Sequence, residues 1–458
     1  MAPKERMLSF GVEMEFYIFW RLSNADPTAR PRGFESHPGT PFVVDEVFSR
    51  YVLMQYLKER IQGLFTGAPE GTVLSVNEKK NVNNDTDAGR DWAHLHNYRQ
   101  WDVKEDGSLG PGESSNNTIP GTGWCGVEVI SPALWSNAEG FDQVRRVCEY
   151  LHSTFIISPD EDCGLHIHVG QGNNWLPFKP LRKIAAFLYA ADPVLAQCHP
   201  MHRRKNLFCP SPRLYSMVSF GVKRSHFFDD DDTVSPPDQN ITLVSGIEQK
   251  KRGFLDSMFS LFRGRSRDRD AETGGRNEFP RRPHTPAYVV DPLPLGSMID
   301  RVAFRYGLPL VLEDFTPVPM KEAVREILQV RQPITIFHLL QSTYRLAYSF
   351  ESYGDFERNK RTIEFRQPAA TVDPAEVISQ ARIMLRLCEF AANCTEQEIE
   401  KLTLDLAIAE QDPTFFDAYD LLKCLSLQPE ARVVQASLAG KMSQSVRDRY
   451  FSERQVKK

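Results

Sequence analysis

Apolar and polar positions change period along this chain. In SFGVEMEFYIF, residues 9–19, alternation puts Val12, Met14 and Phe16 on one side of a strand and Glu13 and Glu15 on the other. The same arrangement recurs in three later stretches. WCGVEVISPAL sets Glu128 between Val127 and Val129. CGLHIHVG puts His166 and His168 opposite Leu165, Ile167 and Val169. KRTIEFRQ puts Thr362, Glu364 and Arg366 opposite Ile363 and Phe365. Residues 43–65 and 138–155 instead carry apolar residues at helical spacing, and 179–198 does so until its proline. Asp373 followed by Pro374 predicts a capped helix over DPAEVISQARIMLRLCEFAANCT. Residues 21–42, rich in Pro, Gly and charge, read as a loop. Short strands mixed with helices predict an α+β fold.

The patterning breaks between Lys223 and His284, where DDDD, VSPPD, GRSRDRD and TGGRNEFPRRPH replace aliphatic residues. Such a segment buries too little apolar surface to offset its ordering entropy, which predicts a disordered insertion. Within it, FLDSMFSLF is compatible with a short docking helix or a transient one.

Composition narrows the classes. A chain of 458 residues that is 41% hydrophobic can build a sizeable core, as two domains or as one large domain with insertions. A net charge of −5 supplies no global basic field, so neither nucleic acid nor an acidic membrane is the expected partner. No apolar run approaches the roughly 18–20 residues of a membrane span, and MAPKERMLSF has no signal-peptide core. The expectation is a soluble protein of the cytoplasm, with the nucleus as the other compartment. Eight scattered cysteines without a CxxC pair are expected to be reduced, buried thiols rather than a zinc ribbon or redox motif.

Candidate chemistry lies on the polar faces of the four alternating strands. They hold four Glu, two His and one Arg at strand centres, where a half-buried sheet usually carries varied, solvated side chains. If the strands adjoin, carboxylates packed that closely repel unless a cation sits among them. Oxygen donors with little sulfur favour magnesium or manganese, and magnesium held by a few carboxylates usually bridges to phosphates, which points to ATP.

Taken in order, GVEMEF, WDVKEDGSL, EVISP, CGLHIHV and TIEFRQ resemble the amidoligase family of carboxylate–amine ligases, over residues 11–371. The resemblance implies a glutamine synthetase-like catalytic fold: a curved antiparallel sheet forming a partial barrel, with helices packed on it and ATP and metal on its concave face. It implies metal ligands at Glu13, Glu15, Glu128, His168 and Glu364, with His166 beside them. Arg366 would contact the transferred phosphoryl group, and Arg203, ahead of Phe208–Cys209, a nucleotide or substrate. Asp102 and Asp106 would handle the amine or acyl substrate. The implied organisation is a catalytic domain in two parts, residues 1–222 and 285–372, interrupted by the insertion at 223–284. Residues 373–458 would form helices packed on it. Two departures bear on substrate handling. RQPAAT replaces the family's continuation with His and Gly-Thr, and Ser349 stands where an Asn is usual.

The implied reaction is ATP-dependent amide formation through an acyl phosphate, on small-molecule or peptide carboxylate and amine substrates. Two rivals stand beside it. Paired His on a strand with carboxylates also suit a metal-dependent hydrolase, and RQPAAT leaves room for a non-catalytic nucleotide- or peptide-binding descendant. Cys163, at a strand start beside glycine, is expected to pack rather than to act as a nucleophile. His94 and His96 are expected on a surface or loop.

Overall fold

The computed structural model describes residues 7–45, 47–65, 100–109, 119–204, 206–227, 243, 305–306, 308, 316–342, 344–354, 361–411 and 416–454. The insertion expected at 223–284 falls almost wholly outside these residues, as do FLDSMFSLF, His94 and His96. Among the described residues, nine strands form one sheet: β1 (Ser9–Leu22), β2 (Phe42–Val44), β3 (Asp102–Lys104), β4 (Thr122–Ile130), β5 (Leu134–Trp135), β6 (Ile157–Ser158), β7 (Leu165–Gly170), β8 (Tyr348–Ser349) and β9 (Ile363–Phe365).

At 14 residues, β1 is long enough to pair with five neighbours along its length. The main path runs β3-β4-β1-β7-β9-β8 and does not close. Every ladder is antiparallel except the one between β1 and β2.

Twelve α-helices stand among the described residues: α1 (Arg50–Gly63), α2 (Ala138–Thr154), α3 (Phe178–Leu195), α4 (Met201–Arg204), α5 (Pro212–Tyr215), α6 (Met320–Leu328), α7 (Pro333–Leu340), α8 (Pro374–Asn393), α9 (Glu396–Gln411), α10 (Ala418–Cys424), α11 (Gln428–Leu438) and α12 (Gln444–Arg454). The fold is therefore α+β with an open, mainly antiparallel sheet. No helix among the described residues is long and apolar enough to cross a membrane.

The alternation decides which face the helices cover. Val12, Met14, Phe16 and Ile18 join Val127, Val129, Ile167 and Phe365 in one large buried cluster with residues of α2 and α8. Phe10 stacks on Phe141 of α2 at 4.9 Å, and Met14 Sδ lies 3.7 Å from Cys148 Sγ. Each such side chain contributes about 1.5–3 kcal/mol on burial, so this face can offset the cost of charge on the other. Helix α8 packs on β7 and β1, α9 on α3 and α6, and α11 on α8. All eight cysteines are buried.

Two helix boundaries differ from the periodicity. Of residues 43–65, the first belong to β2, and the helix starts at Arg50, after Ser49, whose hydroxyl accepts the Val52 N–H at 3.5 Å. Helix α3 runs two residues beyond Pro193, because a proline in the last turn removes only one hydrogen bond near the end of the ladder. The cap at Asp373 forms as expected, accepting from Ala375 N–H at 2.9 Å with Pro374 at the first position.

Candidate active site

Cross-strand register builds the site. Glu15 on β1 lies opposite Glu128 on β4, and Glu13 lies opposite His166 on β7. His168 lies opposite Glu364 on β9. Four strands thus place their polar positions in one row, on the face away from α2 and α8. The row is buried: Glu13, Glu15, Glu128, His166 and His168 are each less than a tenth exposed. All of these but His168 floor a cavity of about 830 Å³ whose walls include Asp106, Asp162, Phe208, Arg345 and Arg366.

The imidazoles sit between the carboxylates. His166 Nδ1 is 3.5 Å from Glu13 Oε2 and 3.7 Å from Glu364 Oε1, and its Nε2 is 3.5 Å from Glu15 Oε1. His168 Nε2 is 3.0 Å from Glu13 Oε1, while its Nδ1 shares a hydrogen bond of 3.1 Å with the Thr362 hydroxyl. Gly164 makes this closeness possible. Its N–H donates to Glu15 Oε2 at 2.7 Å, and a Cβ there would come within 2.9 Å of Arg203 Nη2 and 3.0 Å of His166 Nε2.

Charge in the row is unbalanced. Burial, and then the neighbouring Asp106, push Glu15 up to about 8. Burial, and then Glu13, push Glu128 up to about 8, although the Lys104 ammonium lies 3.1 Å away. Burial alone would raise Glu364 as well, but Arg366, paired with its carboxylate, and His168 hold it down to about 2. Burial and the Arg366 charge lower His166, keeping its ring neutral. Asp106 is lowered despite its burial, because the Ser108 N–H and hydroxyl both donate to it.

The donor set fits a hard divalent cation. Three groups bring ligand atoms within 4.8 Å of one another: Glu13, His168 and Glu364; Glu13, Glu128 and His166; and Glu15, Asp106 and Glu128. His166 Nδ1 and His168 Nε2 are buried and aimed at carboxylate oxygens, the position from which a ring nitrogen could ligate a cation held among them. Thr362, on the far ring nitrogen of His168, fixes that orientation.

Not every residue singled out in the sequence joins this group. Asp106 does, through its hydrogen bond to Glu15. Asp102 does not: at the far end of β3 it pairs with Lys58 of α1 at 2.8 Å and is not part of the cavity wall. Arg366 lines the cavity and anchors its Nε on the Phe208 carbonyl at 3.0 Å.

Arg203 reaches the wall, but it is 1% exposed and donates to the carbonyls of Cys163, Arg366 and Gln367. That is the work of a tie between segments rather than of a free phosphate contact. Cys163 packs with Tyr17 and Phe19, and burial pushes its thiol up to about 12, far from a nucleophile. RQPAAT extends the sheet: Leu165 N–H donates to the Pro368 carbonyl at 3.1 Å, and Ala369 bridges to Gly164.

Lys104, Asp162, Phe208, Tyr344 and Arg345 also line the cavity without having been anticipated. Lys104 alone had a signal, since it alternates with Val103 in WDVKEDGSL. The others come from loops, where no period marks a face.

This sheet and its carboxylate–imidazole row make the chain an α+β protein with a set of side chains that could hold a metal ion. Residues 6–217, a little under half of the chain, match the model of a family described as putative amidoligase enzyme, so that segment is similar to the putative amidoligase family. The description is consistent with an amide-bond-forming ligase. No curated protein and no solved structure matches the chain. The match ends before β9, so Glu364 and Arg366 complete the row from outside the matched segment.

Proposed function

We propose that the chain is an ATP-dependent carboxylate–amine ligase working through an acyl phosphate on small-molecule or peptide substrates. The observation that carries this reading is the row of four Glu and His166, ending in Arg366 beside Glu364, on the floor of one open cavity, with His168 buried behind it against Glu13. Glu13, Glu15, Glu128, His168 and Glu364 would hold magnesium or manganese, with His166 among them. Bound there, the ions would supply positive charge to phosphate oxygens.

The chain's own groups have separate tasks. Arg366, held in place by Glu364 and the Phe208 carbonyl, faces the cavity as a fixed cation for charge developing on a transferring phosphoryl group. A substrate carboxylate oxygen bonds to the γ phosphorus as ADP leaves, and the amine nitrogen then bonds to the acyl carbon as phosphate leaves. The amine proton needs an acceptor, and Asp106, kept ionised by Ser108 at the cavity edge, is the base within reach.

ATP titrated by calorimetry with and without magnesium or manganese tests the reading, on the purified chain and on Glu13→Ala and Glu364→Ala. Metal-dependent binding by the parent, lost in both variants, followed by ADP release on addition of amines and carboxylates, supports it. A folded protein that binds no nucleotide at any metal concentration overturns it, and metal-dependent hydrolysis without ATP would replace it with the hydrolase.

A further inference from the structure

The cavity has an apolar stretch that its metal-binding floor does not explain. Leu207 and Phe208, between α4 and α5, line it while 37% and 47% exposed. Large apolar side chains left in water beside a polar site mark a contact surface when their backbone is fixed. Here it is fixed on several sides. Phe208 N–H donates to Asn206 Oδ1 at 2.8 Å, and its carbonyl accepts from Arg366 Nε at 3.0 Å. Cys209, the next residue, is 1% exposed. The Pro210 carbonyl accepts from Ala347 N–H at 2.9 Å, tying this loop to the segment that carries Arg345.

Strand order sets the polarity of the cavity. Glu105 and Asp106 follow β3, at one edge of the sheet, whereas Arg366 and the Phe208 loop flank β9 and β8 at the other. Four strand spacings, about 19 Å along the sheet, separate β3 from β9. Lys104 at the β3 edge is paired with Glu128, and at the other edge Arg345 and Arg366 are paired with Glu351 and Glu364, so what marks the second edge is the Arg366 guanidinium tied to the Phe208 backbone rather than a net positive charge.

We propose that Leu207 and Phe208 form the shelf on which the purine ring of a nucleoside triphosphate lies, with its phosphates running past Arg366 toward the carboxylate row. The assignment rests on the ligase reading and adds the direction in which the nucleotide enters. A planar ring joined to a polyanionic tail matches a flat apolar surface joined to a fixed guanidinium. A simple carboxylate substrate would use Arg366 and leave the aromatic face in water. Because Arg366 is bonded to the Phe208 carbonyl, shelf and cation keep a constant separation. The acidic edge is then left to the amine.

The test compares ATP with inorganic tripolyphosphate, each titrated in manganese against the parent chain, Phe208→Ala and Phe208→Trp. Phe208 is half exposed, so neither variant removes a core side chain. The expected result is a loss of roughly 5- to 150-fold in ATP affinity for Phe208→Ala, with tripolyphosphate unchanged and ATP binding restored in Phe208→Trp. ATP binding unchanged in Phe208→Ala overturns the shelf. So does an equal loss for both ligands, which would make the ring a mere support for Arg366. A parent chain that binds ATP and tripolyphosphate equally well removes the shelf but keeps the ligase reading, whereas one that binds neither removes both.

Discussion

Asp102 and Asp106 lie four residues apart and face different surroundings. Asp102 is neutralised by Lys58 of α1, and Asp106 is hydrogen-bonded to Glu15 at the cavity edge. If Asp106 takes the amine proton, Asp106→Asn should lower the rate of amine-dependent ADP release by about 100-fold or more, the usual contribution of a positioned base. ATP affinity should change far less. Asp102→Asn should leave both within about threefold and cost only the modest stability of a partly exposed ion pair. Steady-state ADP release on the two variants separates them.

The row itself should make the metal-free protein sensitive to pH. Burial raises Glu15 and Glu128 from 4.5 to about 8 in the folded chain, with Asp106 and Glu13 adding to it. A carboxyl raised on folding contributes stability that is fully present below its unfolded pKa and is lost as pH climbs through the folded value. The melting temperature in chelator should therefore fall by several degrees between about pH 5 and pH 8.5. Manganese should remove most of that fall, because a bound cation favours the ionised carboxylates. Scanning calorimetry with and without manganese reads both effects, and a metal-free protein with a flat profile would contradict them.

At the scale of elements, Gly164, just ahead of β7, sits against the Arg203 and His166 side chains with no room for a Cβ. Gly164→Ala should destabilise the chain by about 1–3 kcal/mol, because the new methyl must displace Arg203 or His166. Manganese affinity should fall with it, as Glu15 loses the geometry of its bond to the Gly164 N–H. Denaturant titration and metal titration on one preparation check the pair.

The same strands show what could be read in advance. Alternation is unambiguous when a carboxylate or imidazole interrupts aliphatics at period two, so Glu13, Glu15, Glu128, His166, His168 and Glu364 were assignable to shared faces. That the faces join depends on ladders between residues far apart in the chain, such as His168 with Glu364, 196 positions away, and no local pattern carries that information. The start of α1 was misplaced because three apolar residues at 42–44 satisfy a strand and a helix start alike. That Asp102 lies against Lys58 and not on the cavity wall could not be read in advance, because β3 has only three residues, too few for its period to show which end faces the cavity. Leu207, Phe208, Tyr344 and Arg345 lie outside any strand or regular period, and only tertiary structure brings them to the wall.

At the scale of the molecule, the site is assembled from both ends of a long chain, and Arg203 is the tie. Its guanidinium donates to Cys163 ahead of β7 and to Arg366 and Gln367 after β9, joining the family-matched segment to the strand beyond it. A second buried network lies behind the same strand end. Asp192 of α3 accepts from the Ser211 hydroxyl at 2.5 Å, and Gln367 Oε1 accepts from the Tyr348 hydroxyl at 3.1 Å. Removing Arg203 leaves three buried carbonyls without their donor, each costing about 1–3 kcal/mol.

Arg203→Ala should therefore destabilise the chain by about 3 kcal/mol or more and weaken metal binding with it, since Glu364 and Arg366 lose their registration against Glu13. Arg203→Lys decides what kind of residue Arg203 is. A single ammonium cannot reproduce a planar fork that spans three carbonyls, so a tie predicts a loss of stability nearly as large as in the alanine variant. A phosphate contact predicts the opposite: near-normal melting with ATP and tripolyphosphate affinities both reduced. Melting curves and the two titrations on Arg203→Lys distinguish these outcomes, and the three carbonyl bonds favour the first.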